Sequence, residues 1–186
     1  RERADRDGPM TKKRFLRPRR LGAAFLGDRK GAAAVEFALI TPTIMLVLVG
    51  LIDIGGMLYT RFQLNASVSA AANYAIVNAD NVESTDAASL ATALSGVLSS
   101  GQSSNWANSS VTVNNGPTAS NTGGTSSTGG SASPADNCYC PTGAASGTVT
   151  WGSSQTCGVS CTGGGYAGKF VLLSASRSYT PVFAGY

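Results

Sequence analysis

"KGAAAVEFALITPTIMLVLVGLIDIGG" runs from Lys30 to Gly56 and decides how the rest of the chain is read. From Phe37 to Ile52 it carries no charge, and with Ala32–Val35 and Ile54–Tyr59 the apolar stretch is long enough for one membrane span of about 20 residues. The anomaly is Glu36, an acid near the start of that stretch. A charge at bilayer depth is costly and marks a functional position by default. Asp53 is a second acid, at the far end of the uncharged run.

The charge on either side is lopsided. Residues 1–30 hold eleven of the 14 basic and four of the 10 acidic residues, a local net of +7, whereas 31–186 carry a net of −3. A basic arm is compatible with nucleic-acid binding. This one abuts an apolar span, where Lys and Arg mark the cytoplasmic side, and no aromatic platform or base-reading motif accompanies it. The arm is therefore read as topogenic, no nucleic-acid partner is expected, and residues after about 60 are expected outside the cytoplasm. The small-residue stretch Ala66–Ala70 lies too far past the apolar core for a cleaved secretory signal, so the span reads as an anchor.

The helix is predicted to continue beyond the membrane. Phe62, Ala66, Ala70 and Tyr74 recur every fourth residue, with Leu64, Val68, Ala71 and Ala75 alongside, and Ala favours helix strongly. One helix over about 33–77 is predicted, closed by the polar NADN at 78–81. A second helix follows, capped by Ser84 or Thr85, with Leu90, Leu94 and Val97 on one side. From residue 101 the pattern changes. SVTVNN (110–115) and GTVTWG (147–152) read as strands. AGKFVLLSASRSYTPVF (167–183) holds one long strand or two short ones, stopped by Pro181. The Gly/Ser/Thr/Asn/Pro-rich segment 116–135 reads as a flexible loop. The expected class is α+β: a long N-terminal transmembrane-to-periplasmic helix, a shorter helix, and a small antiparallel sheet with a disulfide-stapled loop region.

All four cysteines, Cys138, Cys140, Cys157 and Cys161, lie in that last region. In an exported segment two disulfides are the natural reading, with a four-cysteine zinc site as the alternative. Cysteines separated by one residue are poorly placed to pair with each other. Cys138 and Cys140 are thus expected to pair with Cys157 and Cys161, in either of the two crosswise ways. The chain has no His, which removes the commonest general base and metal ligand. No catalytic residues, metal or cofactor are expected.

The segment 30–77 resembles the TadE-like proteins of the tight-adherence (Flp-type) pilus system, minor pilins or pseudopilins of the type IV pilin superfamily. The resemblance rests on the basic pair before Gly31, on VEFAL with Glu36 and Phe37, and on Pro42. It extends through Gly50, Asp53, Gly55 and the Ala-rich continuation; the closing SYTPVF also looks like the family's end. Many members carry Glu where this chain has Asp53. The resemblance implies cleavage by a prepilin peptidase between Gly31 and Ala32, which would remove a basic cytoplasmic leader, 1–31. The mature chain would have a transmembrane part at 32–59, a periplasmic helical region at 60–100 and a β-rich exported region at 101–186. Glu36 would then be the fifth mature residue, one helical turn from the new amine of Ala32. In relatives the acid is thought to meet the amine of an adjacent subunit, so Glu36 and Phe37 are the expected assembly residues.

Pro42 removes a helix hydrogen bond to Ala38, and reads either as a functional kink or as a harmless one. The implied partners are inner-membrane lipid, the prepilin peptidase, other pilin and pseudopilin subunits and the assembly machinery. The alternative is an unprocessed, signal-anchored surface-binding or adhesin-like module, in which Trp106, Trp151 and Tyr166 would stack on sugars.

Overall fold

Ala and straight-chain apolar residues dominate residues 32–77, and the computed structural model forms them into one α-helix, α1 (Ala32–Val77). The structure describes residues 31–143 and 148–182. The predicted basic arm 1–30, part of the GTVTWG candidate and Phe183 of SYTPVF lie outside them. The chain divides between Leu48 and Val49 into two compact units, to both of which α1 contributes. In the first, α1 is apolar all round, with Phe37, Leu39 and Leu46 each at least 70% exposed. It is the one helix among the described residues that is long and apolar enough to cross a membrane. A helix of this kind is stable only in lipid or among other apolar helices.

In the second unit α1 is two-faced. Ser67, Ala71 and Ala75 are buried, with Leu64 and Val68 half-buried beside them. The other half of the expected stripe is not core: Phe62 is 69% exposed, and Ala66, Ala70 and Tyr74 are exposed too. After a 3-10 turn (Ala79–Asn81) comes α2 (Ala87–Ser99). Its N-cap is Asp86, not Ser84 or Thr85 as expected. The Thr85 hydroxyl donates to the Asp86 carboxylate, and the first helical amide, Ala87 N–H, donates to Glu83 O at 2.8 Å. Ser84 instead donates its N–H to Asp136 Oδ1 at 2.7 Å, and hydrogen bonds from Ser84 are the main reason that the Asp136 pKa lies below the usual carboxylate range.

Four antiparallel strands follow: β1 (Asn108–Val113), β2 (Thr118–Thr122), β3 (Thr125–Gly129) and β4 (Val171–Ser176), in the order β3-β2-β1-β4. The expected flexible loop 116–135 is thus incorrect: it holds β2, β3 and a 3-10 turn (Ser133–Asp136). Two tight hairpins explain the error. Asn114 and Asn115, followed by Gly116, make a three-residue loop closed by Val113 and Pro117, and Gly123 and Gly124 make a two-residue one; all four of Asn114, Asn115, Gly123 and Gly124 take positive φ, whose twist matches paired strands. Ser and Thr alternate across the pleat, Ala119 and Asn121 facing inward. GTVTWG forms no strand in its described part. It contributes one isolated bridge, Thr150 to Thr142, next to Gly143, where a Cβ would collide with the Thr148 carbonyl.

Alternating residues of β1 join Ala87, Leu90, Ala91, Leu94 and Leu98 of α2 and the buried stripe of α1 in one core. Leu94, Leu98, Val111 and Val113 are fully buried, each contributing on the order of 1.5–3 kcal/mol. Asn114, also fully buried, ties the turn to its surroundings. Its Nδ2 donates to the carbonyls of Ala135 (3.0 Å) and Asn137 (2.5 Å), and its Oδ1 accepts Phe170 N–H at 3.2 Å. Asn114→Ala leaves these groups unpaired at a left-handed φ. With each orphaned buried group costing about 1–3 kcal/mol, a loss of about 3 kcal/mol is expected in denaturant titrations of the detergent-solubilised chain; a loss within error of zero would refute that role.

Candidate functional site on the apolar helix

The helix start carries the residues singled out for processing and assembly. Gly31 is an exposed turn residue whose carbonyl accepts the first helical bond, from Val35 N–H at 3.2 Å. Ala32 is therefore the first residue of α1. Glu36 stands exposed one turn on, followed by Phe37, 70% exposed. An unpaired Glu in this apolar surface is tolerable only in water or beside a cation. The helix runs through Pro42. One residue before it, the Thr41 hydroxyl donates back to Phe37 O at 2.6 Å, a local bond that occupies a polar side chain within an apolar helix.

The second unit carries a feature that the sequence reading left unpaired. After β4 the chain runs as a strap, residues 177–182, back to α1. Val182 N–H donates to Asp53 Oδ1 at 2.9 Å. The Tyr179 hydroxyl lies over Gly56, where a Cβ would sit 2.6 Å from it, so the missing side chain makes room for the ring. Desolvation, and then the adjacent Asp53 carboxylate, raise the Tyr179 pKa, keeping the phenol protonated as a donor. Gly50 and Gly55, the other glycines of the motif on α1, face open space. Higher on the strap, Arg177 stacks on Trp106 with its guanidinium carbon 4.7 Å from the ring centroid, and donates to the Trp106 carbonyl. Gln102 Nε2, on the same loop as Trp106, donates to Tyr59 Oη at 2.6 Å. Asp53, an acid at the far end of the uncharged run of α1, was the available signal for this strap, but its partner lies 129 residues away.

The cysteines pair crosswise as Cys138–Cys157 and Cys140–Cys161. Their sulfurs are consumed, which displaces the zinc alternative. The three aromatics of the adhesin reading do not come together. Trp106 is held by Arg177, Trp151 packs edge-on against Tyr139 at 6.0 Å, and Tyr166 stands 72% exposed. Trp151 and Tyr166 line separate recesses of about 200 and 480 Å³ that share Phe170.

Residues 31–73 match the family model described as TadE-like protein. The match covers the apolar helix and most of its continuation, and stops before α2 and the sheet. No curated protein and no solved structure matches the chain.

Proposed function

We propose, proceeding from the TadE-like character of residues 31–73, that the chain is a pilin-like structural subunit associated with a pilus of the tight-adherence type, and not an enzyme. One observation carries the reading. The 46 residues of α1 are about twice the length needed to cross a bilayer, and past the span one apolar face of the helix stays bare. Phe62, Tyr74 and Val77 are 69%, 40% and 84% exposed on a helix whose opposite face is packed into its own domain. Lipid cannot cover that length. Neighbouring helices in a fibre can, and a subunit waiting in the membrane would bring the face to them.

In this reading the N-terminus is cytoplasmic and residues after about 60 are periplasmic. A prepilin peptidase cuts after Gly31, so the basic leader orients the precursor and is then discarded. Glu36 pairs with the amine freed at Ala32, in its own chain or a neighbour's, and sets the axial register between subunits. Pro42 leaves Ala38 without its helix donor, which gives the membrane part a place to bend. The predicted parts, 1–31, 32–59, 60–100 and 101–186, would correspond to leader, span, packing helix and exported domain.

The test is the N-terminus of the protein isolated from its native membrane. Ala32 is expected as the first residue, and Gly31→Val, which puts a branched side chain beside the scissile bond, is expected to leave an uncut precursor. A wild-type N-terminus upstream of Gly31, in cells containing the peptidase, would reduce the chain to an anchored exported domain.

A further inference from the structure

We propose that Tyr59, Trp106, Arg177 and Tyr179 form a collar that seats the exported domain on the phospholipid headgroups where α1 leaves the bilayer. The proposal rests on the reading of α1 as a membrane span. A span of about 20 residues counted from Phe37 ends near Gly56. The strap reaches the helix at that level, through Val182 on Asp53 and Tyr179 over Gly56. One turn further on, the loop carrying Trp106 reaches Tyr59 through Gln102. Segments more than forty residues apart in sequence are thus brought to one narrow band of the helix, and what they bring is mostly Trp, Tyr and Arg. These side chains have an apolar body and a polar or charged tip, and they concentrate at membrane–water boundaries for that reason. Val182 is 68% exposed beside Asp53, an apolar residue placed on the membrane side of the collar.

The charges after residue 30 are sorted in the same sense. Three are basic. Arg177 is at the collar, Arg61 follows Tyr59 by two residues at the same end of the domain, and Lys169 is spent on the Val82 carbonyl at 2.6 Å. Of the six acids in that region, Asp80, Glu83, Asp86 and Asp136 gather beyond the other end of the helix, Asp136 through its bond to Ser84. Val77, the last residue of α1, is 24 residues past Asp53, roughly 36 Å along a helix. Asp53 is the exception, an anion at collar level that accepts Val182 N–H; the domain's other acids lie away from the bilayer and two of its three cations lie toward it, the polarity that suits anionic headgroups.

Trp106 and Trp151 make the collar measurable. Trp151 shares a recess with Phe170, and Phe170 lines another with Ala72, Ile76 and Val82 at the far end of α1. The full chain is reconstituted in phosphatidylethanolamine/phosphatidylglycerol vesicles containing lipid spin-labelled near the headgroup. It is used as two single-tryptophan forms, Trp151→Phe and Trp106→Phe. Emission from Trp106 is expected to be quenched severalfold more than emission from Trp151. Equal quenching overturns the collar, as does an unquenched, blue-shifted Trp106, which would place protein over it. Alkaline extraction of the same vesicles separates the two levels of the argument. A chain released by alkali refutes the span itself, whereas a retained chain with unquenched Trp106 refutes the collar alone.

Discussion

Cells carrying Glu36→Ala are expected to show few or no surface pili while the shortened, stable protein accumulates in their membranes. Insertion should not suffer, because an acid costs up to about 2.5–3.5 kcal/mol at the centre of a span and less near its start, where Glu36 stands, so its removal only eases entry. Cleavage should also survive, since Gly31 and the start of α1 are untouched. Assembly is where the loss falls. α1 begins at Ala32 and Glu36 follows one turn later on the same face. In a packed fibre the Ala32 amine would lose its partner, and breaking a buried ion pair by deleting one member costs about 3–5 kcal/mol. That is enough to stop addition of a subunit held by marginal contacts. Glu36→Asp is expected to be intermediate, because it keeps the charge and shortens its reach. Membrane fractionation beside a count of pili decides the matter, and normal piliation of the alanine strain would reduce Glu36 to a hydrated residue at the membrane edge.

The second large effect is expected at the cysteines. Between Cys138 and Gly168 the described chain holds isolated bridges but no strand, and its buried side chains are few, Cys138, Tyr139 and Ala167 among them. Two cross-links enclose 19 and 21 residues of separation, and loops of that size are stabilised by about 3 kcal/mol each. A region with so small a core has no comparable source of order. The paired substitution Cys138→Ser with Cys157→Ser is expected to open it to protease between 141 and 166, and the further pair Cys140→Ser with Cys161→Ser to unfold it. The sheet should persist in both, because its core lies with α2 through Leu94 and Leu98. Non-reducing proteolysis followed by mass mapping reads this directly. Wild-type resistance in the four-serine chain would show that packing, not cross-linking, holds the region.

What the sequence made legible followed the strength of the physical signal. The bounds of α1 are set by an apolar run and then an alanine-rich one, signals that need no tertiary context, and the α+β class and the crosswise pairing follow from patterns equally local. The sheet was harder. β2 and β3 are built of Thr, Ser, Asn and Gly, whose composition resembles a solvated linker. The overlooked signals were the Gly123–Gly124 pair and Asn114-Asn115-Gly116, which favour tight two- and three-residue hairpin loops. The face of α1 was only half readable. Small residues at 66, 70, 71 and 75 fit either side of the helix, and only the sheet's position decides that Ala71 and Ala75 are covered while Ala66 and Ala70 are bare. The strap on Asp53 was out of reach altogether, since no local pattern encodes a hydrogen bond between residues so far apart in the chain.

β3 has an importance that its sequence hides. It is an edge of the sheet, all five of its residues are exposed, and neither Lys nor Pro guards it. Membrane anchoring confines copies of such a chain to a thin layer, where unsatisfied strand edges meet often. What limits mutual templating here is brevity. Gly123 and Gly124 bend the backbone away at one end and Gly130 at the other, all at positive φ. An incoming chain therefore finds a runway of five residues before the ladder turns out of register, and short edges are one of the ways proteins avoid zippering together. In the proposed reading, those glycines would keep a crowded population of subunits as separate molecules, free to be drawn into a fibre by their helices and not stuck to one another by their sheets.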